Sequence, residues 1–285
     1  MSLKFSYALL AMTALVAVAP AVTAQTVSPE ESSAPMMASG LVAPAPADAD
    51  AKPLRLELSA GVQNLSNGYG NWRELGLRGA YTTGRHVIQG ELSTTRRFNE
   101  DGSFAGVSDT YTFNDDWYGS LALGASDGAF YLPKYRIDAM LYRKWLPERN
   151  LVTSAGVGYY DAPDGHTDRS VSLGLAYYFQ APFIVEGGVR FNSSNPGAVR
   201  THQQFLAGTY GRDKQDLVTA RYAWGGEGYL AIGPATQLVD FDSEEASLTW
   251  RHWLTPTAGL LVGVNRYRNP LYTRSGATIG IFSQF

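Results

Sequence analysis

The chain ends Ala277-Thr278-Ile279-Gly280-Ile281-Phe282-Ser283-Gln284-Phe285, and this stretch decides the fold. Ala277, Ile279 and Ile281 fall in phase with Phe285. Thr278, Gly280 and Gln284 occupy the other phase, which only Phe282 interrupts. A period of two is the side-chain repeat of a β-strand, so the segment has one apolar face and one small or polar face. A wall between lipid and a lumen requires that pattern.

The same texture begins abruptly at Leu54. Leu54, Leu56, Leu58, Ala60 and Val62 alternate with Arg55, Glu57, Ser59, Gly61 and Gln63. Similar segments recur to the C-terminus, separated by turn-forming clusters. They centre on 54–64, 73–83, 86–97, 104–113, 117–125, 135–145, 151–160, 169–179, 183–192, 200–210, 217–225, 241–253, 258–267 and 274–285. The expected fold is therefore all-β, a transmembrane antiparallel up-and-down β-barrel of about 14 strands. Shared among fourteen strands, residues 54–285 allow about 16 residues for each strand and its connection, of which a tilted spanning strand takes about 9–11. Twelve or sixteen strands are the alternatives. One segment fits badly: in 104–113, Asp109 falls in phase with Val107 and Tyr111, which calls for a bulge or a shifted boundary.

The N-terminus points to export. Lys4 precedes an apolar run from Ala8 to Ala19, and Val22-Thr23-Ala24 supplies short residues before Gln25. Residues 1–24 read as a cleaved signal peptide, too short in its apolar run for a spanning helix. Residues 25–53, rich in Pro, Ala, Ser and Asp, read as a disordered periplasmic lead, with a docking segment as the functional alternative. Residues 54–285 form the barrel. The expected location is the bacterial outer membrane, with both chain ends in the periplasm. Ile279, Ile281 and Phe285 resemble the C-terminal signal that directs such barrels to their insertion machinery, so outer-membrane lipid and that machinery are expected partners.

Composition narrows the chemistry. The chain has no cysteine, which excludes a lipoprotein anchor, disulfides and thiolate metal sites. Its formal net charge is −3, and nucleic acid is not an expected partner. Longer polar connections are expected at one rim, notably 161–167 and 225–240. Trp72, Trp224 and Tyr272 are expected in an outer aromatic girdle, and Trp117, Trp145 and Trp253 in an inner one.

The inward phase carries Arg55, Glu57, Glu74, Arg78, Glu91, Arg136, Asp138, Lys144, Glu186, Arg190, Arg221, Glu245 and Arg251. On the lipid face at mid-depth a cation would cost about 2–4 kcal/mol and an acid less, which drives these charges inward. Both signs are nearly balanced, so mutual pairing suits them better than one-sign ion selection. Catalysis is not expected. His166 stands near Asp164, Asp168 and Ser170, but no G-x-S-x-G elbow occurs, and triads are defined in space. The four histidines show no metal-binding spacing, Glu244 and Glu245 point to opposite faces, and Asp161, Asp164 and Asp168 lack the glycine and terminal glutamate of a calcium loop. No cofactor is expected.

Four stretches carry a family resemblance. They are Asn71-Trp72-Arg73-Glu74, Thr95-Arg96-Arg97-Phe98, the run from Tyr131-Leu132-Pro133-Lys134-Tyr135-Arg136 through Leu141-Tyr142 to Leu146-Pro147, and Gly158-Tyr159-Tyr160-Asp161. In these the chain resembles the YaiO-type outer-membrane β-barrels, although the family pattern has Trp where Tyr135 stands. The resemblance implies an outer-membrane barrel and a setting in envelope or polysaccharide export, and it transfers no catalytic residue. The expected function is a non-enzymatic barrel acting as a narrow conduit or accessory for envelope polysaccharide or solute traffic. The alternatives are a structural or interaction barrel with a closed, salt-bridged lumen and, last, a lipid-modifying enzyme.

Overall fold

A computed structural model describes residues 52–285; the expected signal peptide and all but the end of the 25–53 lead lie outside the described residues. Fourteen strands follow one another: β1 (Leu54–Leu65), β2 (Trp72–Thr83), β3 (His86–Arg97), β4 (Glu100–Thr112), β5 (Trp117–Ser126), β6 (Tyr135–Trp145) and β7 (Leu151–Asp161). The second half comprises β8 (Thr167–Tyr178), β9 (Phe183–Asn195), β10 (Val199–Gly211), β11 (Asp216–Gly233), β12 (Thr236–Trp253), β13 (Ala258–Arg268) and β14 (Thr273–Gln284). Each pairs antiparallel with its chain neighbour, and β1 pairs with β14, so the sheet closes without an edge. A closed barrel satisfies every ladder hydrogen bond internally, as lipid demands. The seam runs from Arg55 opposite Gln284 to Leu65 opposite Arg274, and the Phe285 amide donates to the Leu54 carbonyl at 2.8 Å.

The outward face is an apolar ladder. Leu58 lies between Leu77 and Ile281, and all three are exposed, as are Ile279 and Phe285. Exposure to water would make such a surface a liability; against lipid it is the required face. Among the described residues no helix is long and apolar enough to cross a membrane.

Three expectations need correction. The segment 225–240 is not an open polar loop: β11 and β12 each run 18 residues, well past the 9–11 of a spanning strand, and turn only after Gly233. The girdle is only half right. Trp224 and Trp145 are exposed on the outward face, and Trp117 lies in that phase, but Trp72, Tyr272 and Trp253 are buried inside. Their phase decides this, since Trp72 shares the inward phase of Glu74, and Trp253 that of Arg251. Trp250, one step from Arg251, is the outward residue. Finally, β4 begins at Glu100 and pairs with β3 without a register shift, so no bulge rescues Asp109. It sits in the outward phase, and its Oδ2 meets His86 Nδ1 at 2.7 Å.

Candidate functional site

The site that the barrel wall positions is its own interior. Each of the thirteen expected inward charges lies in the inward phase of its strand; six are buried and the other seven are partly exposed. A wide aqueous pore would leave such side chains wet. Here they pack against each other and against aromatic rings in three levels.

At the mouth beside the chain ends, Arg251 pairs with Glu57 across two intervening strands and lies 4.3 Å above the Phe282 ring. Leu217, Trp253 and Phe282 pack there together, with Ile184 against them. Asp213, in the turn between β10 and β11, has its carboxyl pushed above the ordinary range by burial, with Lys214, Arg55 and Arg251 drawing it back. Across the mouth Tyr118 and Tyr142 stack at 4.5 Å over Val152 and Ala176, with Lys144 above the Tyr118 ring.

In the middle, Arg78 meets Glu91 at 3.5 Å; nearer the far mouth Arg136 meets Asp138 at 3.0 Å and Arg274 meets Glu245 at 3.5 Å. Arg221 lies over the Phe205 ring, while Glu186 and Arg190 are buried on β9. Pairing is the arrangement expected of both charge signs in a space with little water, because an uncompensated buried ion would cost several kcal/mol.

The far mouth is capped. The connection between β5 and β6 turns inward, and its Phe130, Tyr131 and Leu132 are buried with Phe104. The extended β11–β12 hairpin supplies Leu230 and Phe241 to a second cluster with Trp72, Tyr267 and Tyr272. Phe98 packs against both clusters, and Ala231 of the hairpin touches the first. The two halves are thus one lid. Arg97, paired with Glu74 at 3.8 Å, lies over the Trp72 and Tyr131 rings, and Arg274 also lies over Trp72. The Tyr131 hydroxyl is locked to the Thr95 and Glu100 carbonyls at 3.0 and 3.1 Å. Gly102 on β4 is required by this fit: a Cβ there would stand 2.7 Å from Ala129 Cβ and 2.8 Å from Leu132 Cδ1.

Arg97, Arg274, Asp168 and Glu227 are buried inward charges that the sequence reading passed over. All but Glu227 sit near strand ends, where the parity that picked out the others still applies: Arg97 is in phase with Glu91, and Asp168 with Ser170.

The structure brings only part of the histidine candidate together. His166 is buried between the Tyr160 and Tyr229 rings, and its Nδ1 meets Asp164 Oδ1 at 2.6 Å. Ser170 does not join this dyad. It lies four residues on, one turn of the pleat below Asp168, beside Asp138 across Gly158. Among the described residues no group of three or more His, Cys, Asp or Glu could hold a metal ion.

The sequence matches the model of the YaiO membrane beta barrel domain over residues 54–230. The chain belongs to the YaiO family. That match spans β1 through β10 and β11 as far as Leu230, so three closing strands lie beyond it. No curated protein matches the chain. Among solved structures it is similar to the Pseudomonas putida toluene transporter TodX, with 10% identity over 82% of this chain and 90% of that one and a TM-score of 0.52. The CymD monoaromatic hydrocarbon channel gives 10% identity, 82% and 89% coverage and 0.52. A bacterial polysaccharide outer membrane secretin gives 11% identity, 82% and 99% coverage and 0.51. At such identity the likeness is one of fold, a membrane barrel, and with the family it points to the bacterial outer membrane.

Three of the four stretches that carry the family resemblance converge in space. Trp72 and Glu74 from the first, Thr95, Arg97 and Phe98 from the second, and Tyr131 and Leu132 from the third meet at the far-mouth lid.

Proposed function

We propose that this YaiO-family chain is a non-enzymatic outer-membrane barrel whose lumen is held shut at rest, with the lid as its working element. The observation that carries the reading is the lid itself: the β5–β6 connection and the extended β11–β12 hairpin, distant in sequence, bury aromatic clusters over one mouth, above a lumen of paired charges. The chain-end mouth faces the periplasm and the lid faces outward. In this arrangement the barrel serves as a structural and interaction unit, and envelope or polysaccharide-export components engage it through the lid surface or through residues 25–53.

The lid is built from the β5–β6 connection and from the overhang of β11 and β12 beyond a spanning length, which favours a second reading: a conduit that opens when a partner or solute displaces it. Planar-bilayer recordings separate the two. The purified wild type is expected to be silent. Gly102→Val, whose side chain would collide with Ala129 and Leu132, is expected to displace the lid and produce discrete current steps if the lid is the gate. A silent Gly102→Val barrel with a displaced lid supports the structural unit, because the charge network then seals the lumen alone. Open-pore conductance in the wild type would overturn both versions of a resting closed state.

A further inference from the structure

Asp109 is a carboxylate on the face that the barrel presents to lipid, three residues in from the end of β4. Its outward neighbours across the ladder are Ile88 on β3 and Leu121 on β5. An acid in such a band costs free energy and marks a site unless something nearby explains it. Only part of an explanation is present. His86 Nδ1 reaches Oδ2 at 2.7 Å; Oδ1 has no hydrogen-bond partner among the described residues and is itself closed to solvent, so a donor from outside meets the 42% exposed side chain at Oδ2.

Beside it the outward surface is hollowed into a groove of about 500 Å³ between β3 and β6. Val107, Tyr111, Phe113, Leu121 and Leu141 line it with Asp109. The hollow exists because the outward phase of β5 carries Gly119, over which the Phe113 ring folds back to within 3.1 Å of where a Cβ would stand. On the rim side, the exposed Arg85 precedes His86, and its Nη1 donates to the Phe113 carbonyl at 3.2 Å. The groove is thus largely apolar, with a partly exposed carboxylate that His86 alone supports and a cation at its rim end.

We propose that this groove is a binding site for a phospholipid bearing a primary ammonium, drawn from the leaflet beside the chain ends. One acyl chain lies in the groove, the ammonium donates to the Asp109 carboxylate, and the lipid phosphate faces Arg85. A primary ammonium brings three donors; a quaternary one brings none, and an anionic headgroup is repelled by the carboxylate. The inference rests on the membrane placement proposed above but not on whether the lumen conducts.

Native mass spectrometry of the full chain, delipidated and folded in detergent, tests it with phosphatidylethanolamine, phosphatidylcholine and phosphatidylglycerol of matched chains. The wild type is expected to retain one phosphatidylethanolamine at roughly tenfold lower concentration than the other two, a difference of about 1.4 kcal/mol. Asp109→Asn keeps shape, removes a lipid-facing charge and should fold at least as well; it is expected to erase the preference. Leu121→Trp, at an exposed position, should fill the groove and weaken retention of all three lipids. Equal retention of the three lipids by the wild type would overturn the site, as would an undiminished preference in Asp109→Asn, or paired copies occupying the groove in place of lipid. A barrel that does not fold into membranes, seen as an unchanged gel mobility on boiling, would instead defeat the membrane reading itself.

Discussion

Arg251→Ala is expected to lower the unfolding free energy of the barrel by about 3 kcal/mol, read as a shift in the urea midpoint of protein folded into lipid vesicles. The reason is the charge left behind. Arg251 on β12 and Glu57 on β1 are both nearly fully buried, and their pairing ties the closing strand to one three places round the barrel. Breaking a buried pair by removing one partner typically costs about 3–5 kcal/mol. The low end applies here because Arg78 sits directly opposite Glu57 on β2 and can take up part of the charge. Arg251 also covers the Phe282 ring at 4.3 Å, so alanine opens a gap above an apolar cluster as well. The double substitution Arg251→Met with Glu57→Leu discriminates between the two contributions. It removes both charges and keeps most of the volume, and such replacements are often neutral or stabilising by about 1–4 kcal/mol. Recovery of the wild-type midpoint in the double variant would identify charge burial as the main cost. A double variant as unstable as Arg251→Ala would place the cost in packing, and an unaffected Arg251→Ala would show that the pair is irrelevant to closure.

The strand positions, their even number and the seam between Leu54 and Phe285 were legible in the sequence because they follow from one strong constraint. A lipid-facing residue must be apolar at every second position, and that rule writes itself into 56–62, 75–77 or 277–281 without reference to anything distant. The lid was not legible, since its parts obey no local rule. Phe130, Tyr131 and Leu132 form a short apolar run with no period, and only a partner such as Phe104 on a neighbouring strand explains their burial. The 225–240 segment misled for a related reason. Gly225, Gly226, Gly228 and Gly233 look like loop residues, yet they belong to an extended hairpin packed over the mouth, where Gly226 and Gly228 admit close approach to Thr201 and Ser194. Asp109 broke the alternation rule in the sequence and still breaks it in the fold, and a residue that does so marks a place where something besides wall-building is at work.

The lid's own keystone gives the other large effect. Trp72→Ala is expected to destabilise by about 3–5 kcal/mol, the range for truncating a buried Trp. Trp72 is 1% exposed, with Phe98 edge-on at 5.1 Å and Tyr272 at 6.2 Å, and Arg97 and Arg274 over its ring at 4.6 and 5.2 Å. Alanine removes the surface on which both guanidinium groups rest, each contact worth about 0.5–2 kcal/mol in such settings. The two cations would then face a cavity under the lid and turn toward Glu74 and Glu245, their carboxylate partners. Phenylalanine is the informative control. The indole Nε1 has no hydrogen-bond partner among the described residues, so Trp72→Phe loses volume and some ring attraction but no hydrogen bond. It should retain more than half of the lost stability. Unfolding midpoints for the three proteins, with bilayer recordings on each, separate the lid's two roles. If Trp72→Ala loses stability and becomes conductive while Trp72→Phe does neither, the ring stack both braces and seals the far mouth. If Trp72→Ala unfolds near the wild-type midpoint, the stack is ornamental to stability, and the family-like stretches that meet there are held together for another reason.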